Sequence, residues 1–246
     1  MGVLDRFIIP LLYHFSTPLL QYFLSSAEDD TAMRRCASVN KLSVLSFMLF
    51  LSFTAACANY HVAGQVAKGR GALLQEDPKV ALAHFKSAAE TDPDFYLNWS
   101  LLQEGVWTYL GRAHYAIGNF GEARAALEKA TSRYSWDNLA KLYLGLVLLR
   151  ENDRSRGLKE VDTGLLGLYN FINFVNINEQ PDGTFWDPGG YIKQQIDATR
   201  TLIQAKDISL VEVIAAGEYI GWRMEKEMDF ARQQQMRDFR TQTMGF

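Results

Sequence analysis

The chain has 246 residues, 48% of them hydrophobic and 22% charged, with a formal net charge of −3. This composition excludes a low-complexity or disordered chain and offers no electrostatic pull toward nucleic acid. Two cysteines, Cys36 and Cys57, are too few for a disulfide framework or a structural zinc site.

Residues 1–32 form an N-terminal extension whose apolar stretch, Phe7 to Leu24, is interrupted by Pro10, His14, Pro18 and Gln21. Met33 begins a more regular segment. Arg34, Arg35 and Lys41 precede an uncharged run from Leu42 to Ala56, and Cys57 follows directly. That run falls short of the ~20 apolar residues of a spanning helix. A basic head, a short apolar middle and small residues at the end make up a secretory leader over 33–56. On this reading, 1–32 lie upstream of the true start; a second membrane-associated segment is the alternative.

Ala55 and Ala56 before Cys57 resemble the end of a lipoprotein signal, although Thr54 stands where such signals usually carry leucine. The resemblance implies that Cys57 is acylated and becomes the new N-terminus. Ala58 implies passage to the outer membrane. An uncleaved anchor, ordinary signal cleavage and a buried helix remain open.

Three units recur along residues 62–170. The clearest, 104–137, places Trp107, Leu110 and Gly111 in a W-x2-L-G opening, followed by the turn Gly118-Asn119-Phe120. Ala123, Leu127 and Ala130 then recur at helical spacing. A shift of 34 puts Leu144-Gly145 on Leu110-Gly111, Asn152-Asp153 on the turn and Val161 on Leu127. An earlier unit, 62–95, supplies Gly69, Ala81, Phe85, Ala88 and Pro93. Its spacing to the middle unit is 42, which predicts an extended helix there.

This pattern resembles the tetratricopeptide repeat. His114 takes the usual place of an aromatic, and Ser135 replaces the usual closing proline. The resemblance implies an all-α, right-handed helical solenoid of about three repeats over 57–170. A helix pair cannot bury its apolar face alone, so pairs stack and their first helices line a concave surface. In this family that surface usually holds peptides or partner helices. The implied partner-binding groove contains Thr108, Arg112 and Tyr115 from the middle unit and Val66, Arg70 and Leu73 from the first. Leu142, Leu146 and Leu149 come from the third, whose first helix is apolar on nearly every face and needs a cover.

Extra C-terminal elements packed on the repeats are expected over 171–246. Pro181-Asp182-Gly183 reads as a turn, with Phe185 and Trp186 pinning the loop to the core. Asp187-Pro188 reads as a helix N-cap and first residue for a helix over 188–205. A last long helix is expected from Ser209 to near Arg240. Val213, Gly217, Ile220, Met224 and Met228 form its apolar stripe, and Glu218, Glu225, Glu227 and Asp229 mark a wet side. This helix is the expected cover for the third unit.

GxSxG, HExxH and P-loop motifs are absent from the sequence, and its four histidines suggest no metal site. The reading is therefore a non-enzyme without cofactor or metal. The resemblance implies a lipid-anchored, periplasm-facing tetratricopeptide lipoprotein of the bacterial envelope. It would scaffold protein partners in assembling an envelope complex and bind no nucleic acid. The alternative is a ligand-handling component of the kind associated with TRAP-type solute transporters. An open apolar groove would favour the first, and an aromatic-lined pocket the second.

Overall fold

The computed structural model describes residues 61–97, 101–179 and 182–244. The leader, the extension before it and Cys57 lie outside the described residues. Those described belong to one compact unit, Thr54–Phe246. Eight α-helices appear among them: α1 (residues 61–74), α2 (Pro78–Thr91), α3 (Val106–Ala116), α4 (Phe120–Arg133), α5 (Asn138–Arg150), α6 (Arg154–Asn178), α7 (Tyr191–Gln204) and α8 (Leu210–Met244). A 3-10 turn at Asp182–Phe185 links α6 to α7. The described residues include no strand, only an isolated bridge between Tyr96 and Gly105. None of the described helices is long and apolar enough to cross a membrane.

The first six helices form three hairpins, and local chemistry fixes where each one turns. Glu76, Gly118 and Asn152 sit at the turns with positive φ of 60°, 81° and 66°. Each is followed by the N-cap residue of the next helix: Asp77, Asn119 and Asp153. The Asp77 and Asp153 carboxylates accept from the N–H groups of Val80 and Arg156, satisfying donors that a helix start leaves open.

The same packing device also recurs. A Cβ on Gly69 would collide with the Phe85 ring, and one on Gly111 would lie 2.5 Å from Leu127 Cγ. At Gly145 it would lie 2.5 Å from the backbone nitrogen of Val161. In every hairpin, then, a glycine on the first helix admits a large residue from the second. Phe85, Leu127 and Val161 are fully buried. The third hairpin closes further, because Gly157 and Gly164 bring α6 against Leu149 and Leu142 of α5.

The longer first spacing has a different cause from the one expected. Helices α2 and α4 have the same length, 14 residues each. The extra residues lie in the α2–α3 connection, where Leu97 N–H donates to Glu104 O (2.8 Å) and Val106 N–H to Phe95 O (2.9 Å). This loop carries Glu104 into the interior, where it is fully buried.

Two boundaries also move. Helix α6 runs through residue 170 to Asn178, because Leu165, Leu168, Ile172 and Val175 keep helical spacing and are all buried. Helix α7 begins at Tyr191 rather than 188, after Gly190 in the left-handed region. Asp187 still caps it across the intervening turn, accepting from Ile192 N (2.9 Å) and Lys193 N (3.0 Å). Trp186 is buried edge-on to Phe171, as the pinned loop required.

Helix α8 covers α5. Its stripe of Val213, Ile220, Met224 and Met228 is at most 1% exposed. Gly217 faces Leu146 and Leu142, and Gly221 faces Tyr143.

Candidate functional site

Apart from the half-buried Leu73, the residues expected to line an open groove are buried instead. Arg70, Arg112 and Leu146 occupy equivalent positions in the three hairpins, on α1, α3 and α5. The chain's own α8 lies against all three. Arg70 Nε donates to Glu225 Oε1, and its Nη2 to Asp229 (2.8 Å). Arg112 Nη1 donates both to Glu225 Oε2 (2.7 Å) and to Glu104 Oε2 (2.8 Å). Arg70 and Arg112 are 2% and 4% exposed, and Glu225 is 1% exposed. An apolar array receiving an apolar helix would have suited a wet Glu225; two buried guanidinium groups instead require its charge.

Tyr115 and Thr108 are likewise taken up within the chain. The Tyr115 hydroxyl donates to Glu218 of α8, which also accepts from Arg150 Nη2 (2.9 Å). Thr108 Oγ1 donates to Asp137 Oδ2 (2.6 Å), and Asp137 in turn caps α5 through Ala140 N–H (2.9 Å). Thr108 therefore ties the second hairpin to the third. The expected wet side of α8 is corrected at two positions: Glu225 and Glu227, the latter bonded to Arg223 at 2.8 Å, are both buried.

The buried cluster has uneven electrostatics. Burial pushes the Glu104 carboxyl up to about 8, against the pull of Arg112 and with the added repulsion of Glu225 and Asp137. Burial also works on Glu225, but Arg112 and Arg70 outweigh it and hold this carboxyl below its ordinary value. For Arg112 the opposition of burial is overcome by Glu104 and Glu225, which raise its pKa well above the usual. Burial raises Tyr109 as well. Among the described residues, Glu104 Oε1, Tyr109 OH and Arg112 Nε find no hydrogen-bond partner.

Beside this cluster opens a cavity of about 510 Å³. Leu73, Leu74, Arg112, Tyr115, Tyr143, Phe120, Arg150, Glu218, Trp222 and Glu225 contribute to its wall. The aromatic groups interlock: Tyr115 lies 5.6 Å from Phe120 and 5.7 Å from Tyr143, ring centre to ring centre. The Arg112 guanidinium stands 5.1 Å from the Tyr143 ring centre. Among the described residues, no group of three or more His, Cys, Asp or Glu is placed to hold a metal ion.

Sequence reasoning missed Glu104 and misplaced Glu225. The signal for Glu225 was the pair of arginines at equivalent repeat positions, which a buried cover helix must neutralise. Glu104 gave no signal, since it opens the 104–137 unit at its edge, before helix α3 begins at Val106. The chain matches no family model, no curated protein and no solved structure.

Proposed function

We propose that this chain is a membrane-tethered repeat protein of tetratricopeptide type, lipid-anchored at Cys57. It faces the periplasm from the outer membrane and serves as an adaptor that holds protein partners in an envelope complex. The observation that carries the reading is the repeated hairpin. Gly69–Phe85, Gly111–Leu127 and Gly145–Val161 make one contact three times, with a left-handed turn residue at the same place in each unit. Such stacked pairs present long surfaces suited to partners.

With α8 lying against Arg70 and Arg112, the adaptor surface moves outward. On the solvent side of α8, Val211, Tyr219, Trp222 and Phe230 recur at helical spacing, between 39% and 79% exposed. Exposed apolar stripes of this kind mark interaction sites. Affinity capture of the tethered protein from membranes, beside a Val211→Glu/Phe230→Glu variant, tests the assignment. A stoichiometric envelope protein held by the wild type and lost by the folded variant supports it. Equal recovery by both, or no such protein, defeats it.

The cavity favours the second reading, a ligand-handling component of a solute-transport system. Its aromatic wall and its volume of about 510 Å³ lie within the range of small-molecule sites. Saturable binding of a small solute by the full chain, with no protein partner recovered, would select this reading over the adaptor.

A further inference from the structure

Helix α8 has two apolar faces. One is turned to its own chain: Val213, Gly217, Ile220, Met224, Met228 and Ala231 are all buried. The other holds Val211, Ala215, Tyr219, Trp222, Lys226 and Phe230, all of them exposed. Four of these six are large apolar side chains. A helix that is apolar on opposite sides belongs between two packing partners. The described residues cover only the first face.

The second face is symmetric along its length. Its six positions are spaced four, four, three, four and four residues apart, an order that reads the same from either end. Each step is close to one helical turn, so the six form one ridge of roughly 28 Å. Its centre lies between Ile220 and Gly221. A second α8 laid antiparallel about that point meets the first position for position. Val211 comes level with Phe230 of the second copy, Ala215 with Lys226, and Tyr219 with Trp222.

The side chains suit that register. Tyr219 and Trp222 already pack together, ring centres 6.2 Å apart, and across the centre they would make a block of four rings. The long Lys226 meets the small Ala215 instead of another bulky group. Its ammonium lies 4.9 Å from the ring centre of its own Trp222 and falls about one turn from the exposed Glu212 of the second copy. A two-fold interface requires this self-complementarity, since one patch must serve as both halves.

We propose that two copies of this chain pair through the outer faces of α8, antiparallel, with the two-fold axis level with the Ile220–Gly221 peptide bond. This inference rests on the reading of the α8 stripe as an interaction surface and names its occupant; the adaptor then works as a pair. The contact is a single helix pair, so the dimer is weak and depends on concentration.

Sedimentation equilibrium of the full chain in detergent should show a dimer fraction that rises with concentration. Ala215→Lys sets a charge against Lys226 of the second copy and should weaken the dimer about fivefold, because symmetry repeats the repulsion. Lys226→Glu, which places like charges near Glu212, should also weaken it. The double variant Ala215→Lys/Lys226→Glu should recover most of the loss. Within one chain these positions are three turns apart, roughly 16 Å, so recovery can come only from a second copy. Circular dichroism confirms that each variant keeps its helices. A wild type that is monomeric throughout overturns the inference, and capture of an envelope protein then decides the adaptor reading alone. A dimer indifferent to Ala215→Lys, or weakened by it without recovery in the double variant, lies elsewhere and equally overturns it. A dimer with the expected charge pattern that captures no envelope protein upholds the inference and defeats the adaptor.

Discussion

Gly111 and Leu127 meet where α3 crosses α4, and a Cβ on Gly111 would lie 2.5 Å from Leu127 Cγ and 3.3 Å from Ala123 O. The crossing therefore depends on an absent side chain at one position and a large one at the other. Gly111→Leu should overpack it and cost ~1–3 kcal/mol. Leu127→Ala should leave a cavity and cost ~2–5 kcal/mol. Gly145→Ala should be worse than Gly111→Ala, because its wall is the Val161 backbone nitrogen at 2.5 Å and the Gly157 carbonyl at 2.8 Å, neither of which can rotate away. Denaturant midpoints check the order; equal midpoints for both alanine variants would misplace the backbone contact.

Glu225 holds two arginines at once, which makes it the least replaceable surface-type residue of α8. Removing one partner of a buried ion pair leaves an uncompensated charge and costs ~3–5 kcal/mol. Glu225→Ala should therefore lower stability by about that amount, while Glu212→Ala, at an exposed position of the same helix, should stay within about 0.5 kcal/mol. Chemical denaturation of both variants decides it. A near-neutral Glu225→Ala would mean that Arg70 and Arg112 reach water when unpaired.

The hairpins were legible in the sequence because small and large residues recur where helices cross, so Gly111, Leu127, Gly145 and Val161 announce their own contacts. The α8 stripe was legible for the same reason: Val213, Ile220, Met224 and Met228 keep one face. The cover over the third hairpin followed from too many apolar residues on α5. The buried charges were not legible, because a carboxylate at helical spacing looks identical whether it meets water or a guanidinium group. Only the pairing of Arg70 with Arg112 across repeats hinted at a partner, and that partner was read as another protein. Glu104 stands at the edge of its repeat unit, in the connection before α3, so its inward turn depended on a tertiary match with Arg112.

Cys57 lies outside the described residues, and its acylation is tested independently of the fold. Cys57→Ala should leave an unprocessed or unanchored chain, and intact mass of the protein purified from membranes should show acyl groups at an N-terminal cysteine. A mature N-terminus elsewhere without acyl mass removes the lipid tether from the proposal, while the repeat and the cavity stand unchanged.

The last prediction concerns pH, and its sign follows from Glu104 and Glu225 together. Burial raises the Glu104 carboxyl from its ordinary 4.5 to about 8, so the folded chain favours the neutral acid. A raised carboxyl pKa stabilises the fold fully below the unfolded value, and that stability is lost as pH rises toward the folded one. Glu225 behaves oppositely: its lowered pKa stabilises the fold above the ordinary carboxylate range and fails only in acid. The pair is therefore most favourable near pH 5 and weakens steadily up to about pH 8. Glu104 Oε1 carries the physical reason, since as a carboxylate oxygen it is buried without a donor among the described residues. The melting temperature of the wild type should fall by on the order of a few °C between pH 5.5 and 8. Glu104→Gln keeps the shape, cannot ionise and leaves Arg112 paired with Glu225, so its melting temperature should hardly change over that interval. An equal fall in wild type and Glu104→Gln would assign the pH dependence to other groups and show that Glu104 is charged in the folded chain.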